Sequence, residues 1–201
     1  TSNFAEAGAF LRSSPEEALP DLQLHFVVAK LLDHGRKTVR GHGYSCHVCV
    51  LRPRSRGTVR LRSADPLTLP AVDPNFLADA DDLQRTVRGV QIVRRILAQP
   101  ALARHGAREL PASAAAQTSE QIADWVRQYA DTIYHPVGTC RMGPGPQDVV
   151  DHQLRVHGVQ GLRVVDASIF PCITSGNTNA PCIMLGEKAA HMVLAEAQRW
   201  A

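Results

Sequence analysis

Residues 161–190 read GLRVVDASIF PCITSGNTNA PCIMLGEKAA. Gly161–Asp166 is a short apolar run ending in an acid, the pattern of a buried parallel strand. A Ser/Gly/Asn/Pro loop follows over 174–181, then an Ala-rich helix running from Pro181 to about Trp200. Proline suits the first helical turn, where its missing N–H has no partner to lose. This strand–loop–helix unit differs from what precedes it. Residues 44–63 alternate at period two, with Cys46, Val48 and Val50 on one face, then Val59 and Leu61. Ser55-Arg56-Gly57 lies between the two runs, and Gly57 can take positive φ, so a β-hairpin is predicted. Leu22–Val28 alternates too and makes a third strand. The three prolines of 65–76 predict a loop.

Two amphipathic helices lie in between. Over 79–98, Leu83, Val87, Val90, Val93 and Leu97 recur at three- and four-residue steps, with Arg85, Arg88, Gln91 and Arg95 opposite. Thr118 and Gln121 match a capping box, and Ile122, Trp125, Val126 and Tyr129 form the apolar side of the helix that follows. The Ala- and Pro-rich stretch 100–117 is a linker. The predicted class is α+β: a mostly antiparallel sheet with flanking helices on one side, plus the C-terminal strand–loop–helix unit.

Composition narrows the functional classes. The chain has 201 residues, 44% of them hydrophobic, enough to bury a core and too many for a disordered chain. Its 22 basic and 19 acidic residues give a net charge of +3, too mild to make nucleic acid or an anionic membrane the main partner. No apolar run is long enough to span a bilayer. Thr1–Glu6 lacks the basic and apolar regions of a signal peptide, and with no initiator Met the start reads as a cut end. Five cysteines (Cys46, Cys49, Cys140, Cys172, Cys182) cannot all pair, which favours a reduced, cytoplasmic chain, with membrane association of a full-length enzyme left open.

Two segments could carry chemistry. In the first, Asn177, Thr178 and Asn179 stand just ahead of a helix N-terminus, whose unpaired N–H groups and positive dipole end suit an anion. Asp166 stands at the carboxyl end of its run, where α/β proteins place ligand contacts. A capped helix after a turn explains the same residues. The second is Tyr134-His-Pro-Val-Gly-Thr-Cys-Arg-Met-Gly143, where a rigid Gly/Pro loop could hold His135 as a general base or carry it incidentally. His42, Cys46, His47 and Cys49 form no zinc site. No second ligand pair follows at finger spacing, and Cys46 and Cys49 point to opposite faces of a strand. A Ser168–His135–Asp166 hydrolytic triad lacks the G-x-S-x-G elbow.

HPVGTCRMG (135–143), VVD (149–151), GLRVVDAS (161–168) and SGNTNAPCIMLGEKAA (175–190) together resemble the C-terminal signature of the glucose–methanol–choline (GMC) oxidoreductases, in the choline and alcohol dehydrogenase branch. The likeness continues more loosely through AEAGAF (5–10), PRSRGTVRL (53–61) and DPNFLAD (73–79). What the resemblance implies is FAD-dependent oxidation of an alcohol. The family's base falls on His135 and its second active-site residue on Asn177. Asp166 and Ala167 match a flavin-contacting pair, while Tyr134, Thr178 and Asn179 correspond to positions beside the flavin ring. The N-terminus of the last helix would stabilise negative charge on the reduced flavin, and Asn177 can donate to the substrate oxygen without competing for its proton.

One family feature is missing. The G-x-G-x-x-G that seats the FAD pyrophosphate has no match: Gly41-His-Gly43-Tyr-Ser-Cys46 fails at its last position and stands before a strand pattern. The expectation is therefore that 1–201 is the C-terminal, substrate-side domain of a larger enzyme, inactive alone. Its tail 158–201 would pack toward an absent N-terminal FAD-binding half. The isolated chain would self-associate through the apolar surface left bare. A catalytically silent interaction module with the same fold is the alternative. The substrate is expected to be a primary alcohol. Choline is not demanded, because aromatics are only 5% and do not cluster.

Overall fold

The computed structural model describes residues 3–33, 36–37 and 39–198. The chain divides into two compact units. One unit comprises the described residues up to Arg56 together with Asn75–Asp131. It holds an antiparallel sheet ordered β1 (Ala5–Leu11), β2 (Leu22–Val27), β3 (Ser45–Val50). Sequence reading found β2 and β3. It left β1, AEAGAFL, without a strand assignment because its small side chains give no apolar alternation.

Helix α1 (Ala80–Leu97) packs on this sheet. A Cβ on Gly89 would lie 2.7 Å from Val48 Cγ2 and 3.4 Å from Leu22 Cδ1, so the missing side chain is what lets helix and sheet meet. Its other apolar side joins α4 (Ser119–Tyr129) in a core of Leu83, Val87, Ala116, Ile122, Ala123 and Val126. The capping box opens α4 as expected: Thr118 Oγ1 accepts from Gln121 N, and Gln121 Oε1 accepts from Thr118 N. The linker 100–117 is more ordered than predicted. It contains the single turns α2 (Pro100–Ala103) and α3 (Pro111–Ala114), each started by a proline at its first position.

The predicted 44–63 hairpin does not form. β3 pairs with β2, whereas β4 (Thr58–Arg60) pairs with β5 (Ala71–Asp73) in the other unit. The chain leaves the sheet after Val50 for a physical reason. Pro53 has no N–H, and the N–H groups of Arg54 and Ser55 are taken by the buried Asp82 carboxylate at 2.8 Å. Gly57 does not serve through positive φ either. A Cβ there would lie 2.0 Å from Asp73 O, so β4 and β5 can approach only at a glycine. The predicted 65–76 loop thus ends in a short strand.

Arg85 also departs from prediction. It is not on a solvated face but binds three carboxylates: Asp21 (2.6 Å), Glu17 (2.7 Å) and Asp81 (2.7 Å). Burial raises the Asp21 carboxyl, but Ser13 N and Oγ and the Arg85 guanidinium outweigh it, and the group ends below its ordinary value.

The other unit comprises Gly57–Pro74 and the residues from Thr132 on. Its core is Val150, Leu154, Ile169, Phe170, Leu185 and Ala189, the last two from α5 (Asn179–Ala197). The helix begins two residues ahead of Pro181, and Trp200, its expected end, lies outside the described residues. The 161–166 run is not a parallel strand. Gly158 and Gly161, at φ 75° and 72°, reverse the chain, so that Val156 N donates to Leu162 O and Val164 N to Leu154 O. That is an antiparallel contact of a few residues.

Candidate active site

Three segments of this second unit meet at one place, and each contributes to the same core: Val137 from the His135 loop, Ala167 and Phe170 from the turn after Asp166, and Cys182 from α5. Backbone hydrogen bonds tie the first two together. Cys140 N donates to Ser168 O and Met142 N to Ile169 O, both at 2.9 Å. Gly138, at φ 91°, brings the loop within 3.4 Å of Phe170 O, measured from where a Cβ would stand. The far end of the loop is closed by Asp148, which accepts from Arg141 Nε at 2.5 Å and from Gly145 N at 2.8 Å. Arg141 is the main cause that holds this carboxyl below its ordinary value. Gly143 leaves room for it: a Cβ there would lie 2.1 Å from Asp148 Oδ2. Sequence reading missed this clasp, for which the only signal was an Asp following Gly143-Pro-Gly145 at short range.

On this scaffold His135 is half-buried, and both its ring nitrogens are engaged. Asn177 Nδ2 lies 3.0 Å from Nε2, and Thr178 Oγ1 lies 3.0 Å from Nδ1. An amide NH₂ can only donate, so Nε2 accepts from Asn177. With Asn177 Nδ2 toward Nε2, a neutral ring carries its proton on Nδ1, facing Thr178 Oγ1. The ring nitrogen with the basic lone pair is thus the one beside Asn177.

The remaining expected residues lie on the same three segments. Tyr134 is 62% exposed and held in the left-handed region at φ 66°, its N–H donating to Thr132 Oγ1. Asp166 is exposed and caps the 3-10 turn Ala167–Ile169 by accepting from Ser168 N at 2.7 Å. Asn179 is exposed at the first position of α5. The hydrolytic triad is not assembled, because His135 bonds Asn177 and Thr178 while Asp166 bonds the Ser168 backbone. In the other unit, Cys46 and Cys49 stand opposite Phe26 and Gln23 on alternate faces of β3, and burial pushes both thiols up, away from the thiolate a metal needs. Gly41–Cys46 leads into β3 and no helix follows it, which is not the setting of a dinucleotide loop.

This fold, with a histidine between an Asn and a Thr at the head of its last helix, matches one known class. A family model described as GMC oxidoreductase matches residues 53–186, and the chain belongs to that family. It is 48% identical over 194 residues to an alcohol dehydrogenase (acceptor) of Pseudomonas putida, covering 96% of this chain and 35% of that protein. It is 46% identical over 192 residues to an oxygen-dependent choline dehydrogenase of Escherichia coli, covering 96% and 34%. Among solved structures, pyridoxine 4-oxidase from Mesorbium loti superposes with a TM-score of 0.82 at 30% identity, over 94% of this chain and 37% of that one. The chain therefore spans about a third of the length of the curated relatives it matches.

Proposed function

We propose that residues 1–201 are the substrate-side, C-terminal domain of an FAD-dependent oxidoreductase acting on CH–OH groups, which oxidises a primary alcohol, choline or another, to the aldehyde. The observation that carries this reading is the imidazole of His135 with its Nε2 lone pair beside a neutral amide donor. Hydride leaves a carbinol carbon more readily as the hydroxyl proton departs, so a base within hydrogen-bond reach is needed. His135 Nε2 takes that proton. Asn177 turns its N–H from Nε2 to the substrate oxygen, orienting the alcohol as the proton moves.

The surrounding residues suit the edge of a flat polar ring. Thr178 occupies the N-cap of α5 but bonds no helix N–H, so the first N–H groups of α5 are left without a side-chain cap. Exposed Asn177 and Asn179 stand in front of them. Tyr134, Asp166, Ala167, Asn177, Thr178 and Asn179 are the residues that would hold a flavin here, which when bound supplies the hydride acceptor. The pyrophosphate loop would come from an N-terminal half, with 158–201 packing toward it, and the chain alone would be inactive.

Bare apolar side chains between β4 and β5, Leu61 (88% exposed), Leu67 (88%) and Leu69 (80%), support a covering partner of this kind and self-association in its absence. A strictly monomeric mass at high concentration would refute self-association. The cysteines, all free, are consistent with a reducing, cytoplasmic setting. Among the described residues, no helix is long and apolar enough to cross a membrane.

The test is anaerobic mixing of the full-length flavoprotein with primary alcohols, choline included. Bleaching of the flavin is expected, and its absence with every alcohol overturns the reading. Stoichiometric hydrogen peroxide on adding oxygen would assign an oxidase, and its absence a dehydrogenase.

A further inference from the structure

We infer that Thr178 is a positioning residue whose hydroxyl anchors the imidazole of His135 in every protonation state, so that Asn177 alone changes partner when the proton moves. The inference rests on the role proposed for His135 and adds to it a fixed side and a changing side of the ring. Thr178 stands where a helix N-cap stands, and Thr is favoured there because its hydroxyl accepts from the N–H two or three residues on. Here it makes no such bond. Its backbone has the helical angles φ −85° and ψ −5°, not the extended ones of a capping residue. By contrast, Thr118, at φ −83° and ψ 161°, caps α4 in the ordinary way.

The Thr178 hydroxyl instead meets His135 Nδ1 at 3.0 Å, across 43 positions of sequence. The residue is 9% exposed, so water competes little for that bond. A hydroxyl has one donor and two acceptor lone pairs, and it rotates to suit its partner. It accepts when Nδ1 carries a proton and donates when Nδ1 is bare. The bond therefore survives in both tautomers of the neutral ring and in the imidazolium. The amide on the other side is not so equipped. Asn177 Nδ2, 3.0 Å from Nε2, only donates, so it fits the bare nitrogen alone. When Nε2 takes the proton of the alcohol, that bond is lost and Asn177 turns, while nothing on the Thr178 side has to rearrange. The new cation keeps an acceptor at Nδ1, where an unsatisfied donor would carry its full desolvation penalty. Consecutive residues thus divide the ring: Thr178 holds one nitrogen still, and Asn177 follows the proton at the other.

The experiment compares the full-length, flavin-loaded enzyme with its Thr178→Val and Thr178→Ser variants. Val keeps the branched shape and, because Thr178 caps no helix N–H, takes no bond from α5. Two readouts are taken. One is an NMR titration of the His135 ring, which does not depend on turnover. The other is the limiting rate of flavin reduction by a primary alcohol, at a pH where the ring is neutral. In Thr178→Val the imidazolium has no acceptor at Nδ1, so its charged form is disfavoured. The ring should lose its proton about one pH unit lower than in wild type. The limiting rate should fall by about tenfold or more as the ring loses its fixed position, with little change in apparent alcohol affinity. Thr178→Ser keeps the hydroxyl and should match wild type in both readouts. An unmoved titration in the Val variant would overturn the inference, whatever the rate does. A moved titration with an undiminished rate would overturn it too, because the bond would then hold no position that the reaction needs. A Ser variant that behaves like Val would assign the effect to packing of the Thr methyl group, against the inference. If His135→Gln left alcohol-dependent flavin reduction intact, the base reading itself would fall, while the titration would still report whether Thr178 holds the ring.

Discussion

The Arg85 cluster of one unit and the His135 cluster of the other treat buried polar groups in opposite ways. Arg85 holds three carboxylates within 2.7 Å, and its own protonation is pushed further up by Asp81 and Glu17 against the opposing effect of burial. Asp21, with no exposed surface, has its oxygens filled by Ser13 and Arg85. His135 has two neutral partners at 3.0 Å and is half-buried. Charged partners make strong bonds that a substrate cannot displace, whereas a neutral amide can turn toward a hydroxyl group at small cost. A displaced ionisation is often a guide to function. Three displaced groups mark clasps instead: Arg85 and Asp21 between elements of the first unit, and Asp148 across the site loop of the second.

Removing the centre of the charged cluster should have the largest effect on stability. Arg85→Met leaves Asp21 buried with its charge uncompensated, and a loss of about 3–5 kcal/mol is expected in urea unfolding. A loss below about 1 kcal/mol would put the cluster with ordinary surface pairs and dissolve the contrast. The same cluster predicts the acid limb. Because the folded Asp21 carboxyl lies below its unfolded value of about 3.9, its contribution is complete above that value and is lost as pH falls through the folded one. Stability measured down an acid series should fall in that window in wild type and less steeply in Arg85→Met.

A smaller effect is expected at Gly57, where the neighbour is a backbone carbonyl that cannot move aside. Gly57→Ala should cost about 1–3 kcal/mol and speed hydrogen exchange at the amides of β4 and β5. Unchanged exchange there would mean that the strands can shift without penalty. The smallest effect belongs to Thr118→Ala, about 1 kcal/mol from loss of the α4 cap, read from the denaturation midpoint.

What could be read from sequence was what is local. The apolar spacing of α1, the Thr118/Gln121 box and the strand at Leu22–Val27 each lie within one element, and each appeared where the pattern put it. The failures came where a distant partner or a local chain reversal decided. Residues 44–63 alternate properly, but Asp82 takes the N–H groups that a hairpin would have needed. Gly161–Asp166 has a strand's composition, yet two left-handed glycines turn it back on 154–156. In the site, resemblance pointed to His135, Asn177 and Thr178, and the structure brings all three into one hydrogen-bonded group. The contact of the Thr178 hydroxyl with His135 was not legible, because in sequence a Thr ahead of a helix looks like a cap.

The most direct test of the account compares wild type with His135→Gln in the full-length flavoprotein, by anaerobic stopped-flow reduction of the flavin by a primary alcohol. With His135 as the base, the limiting reduction rate falls by about 10²–10⁴-fold while the flavin stays bound. An unchanged rate in a folded, flavin-loaded variant would mean that the proton leaves by another route, and that the histidine between Asn177 and Thr178 is a structural residue.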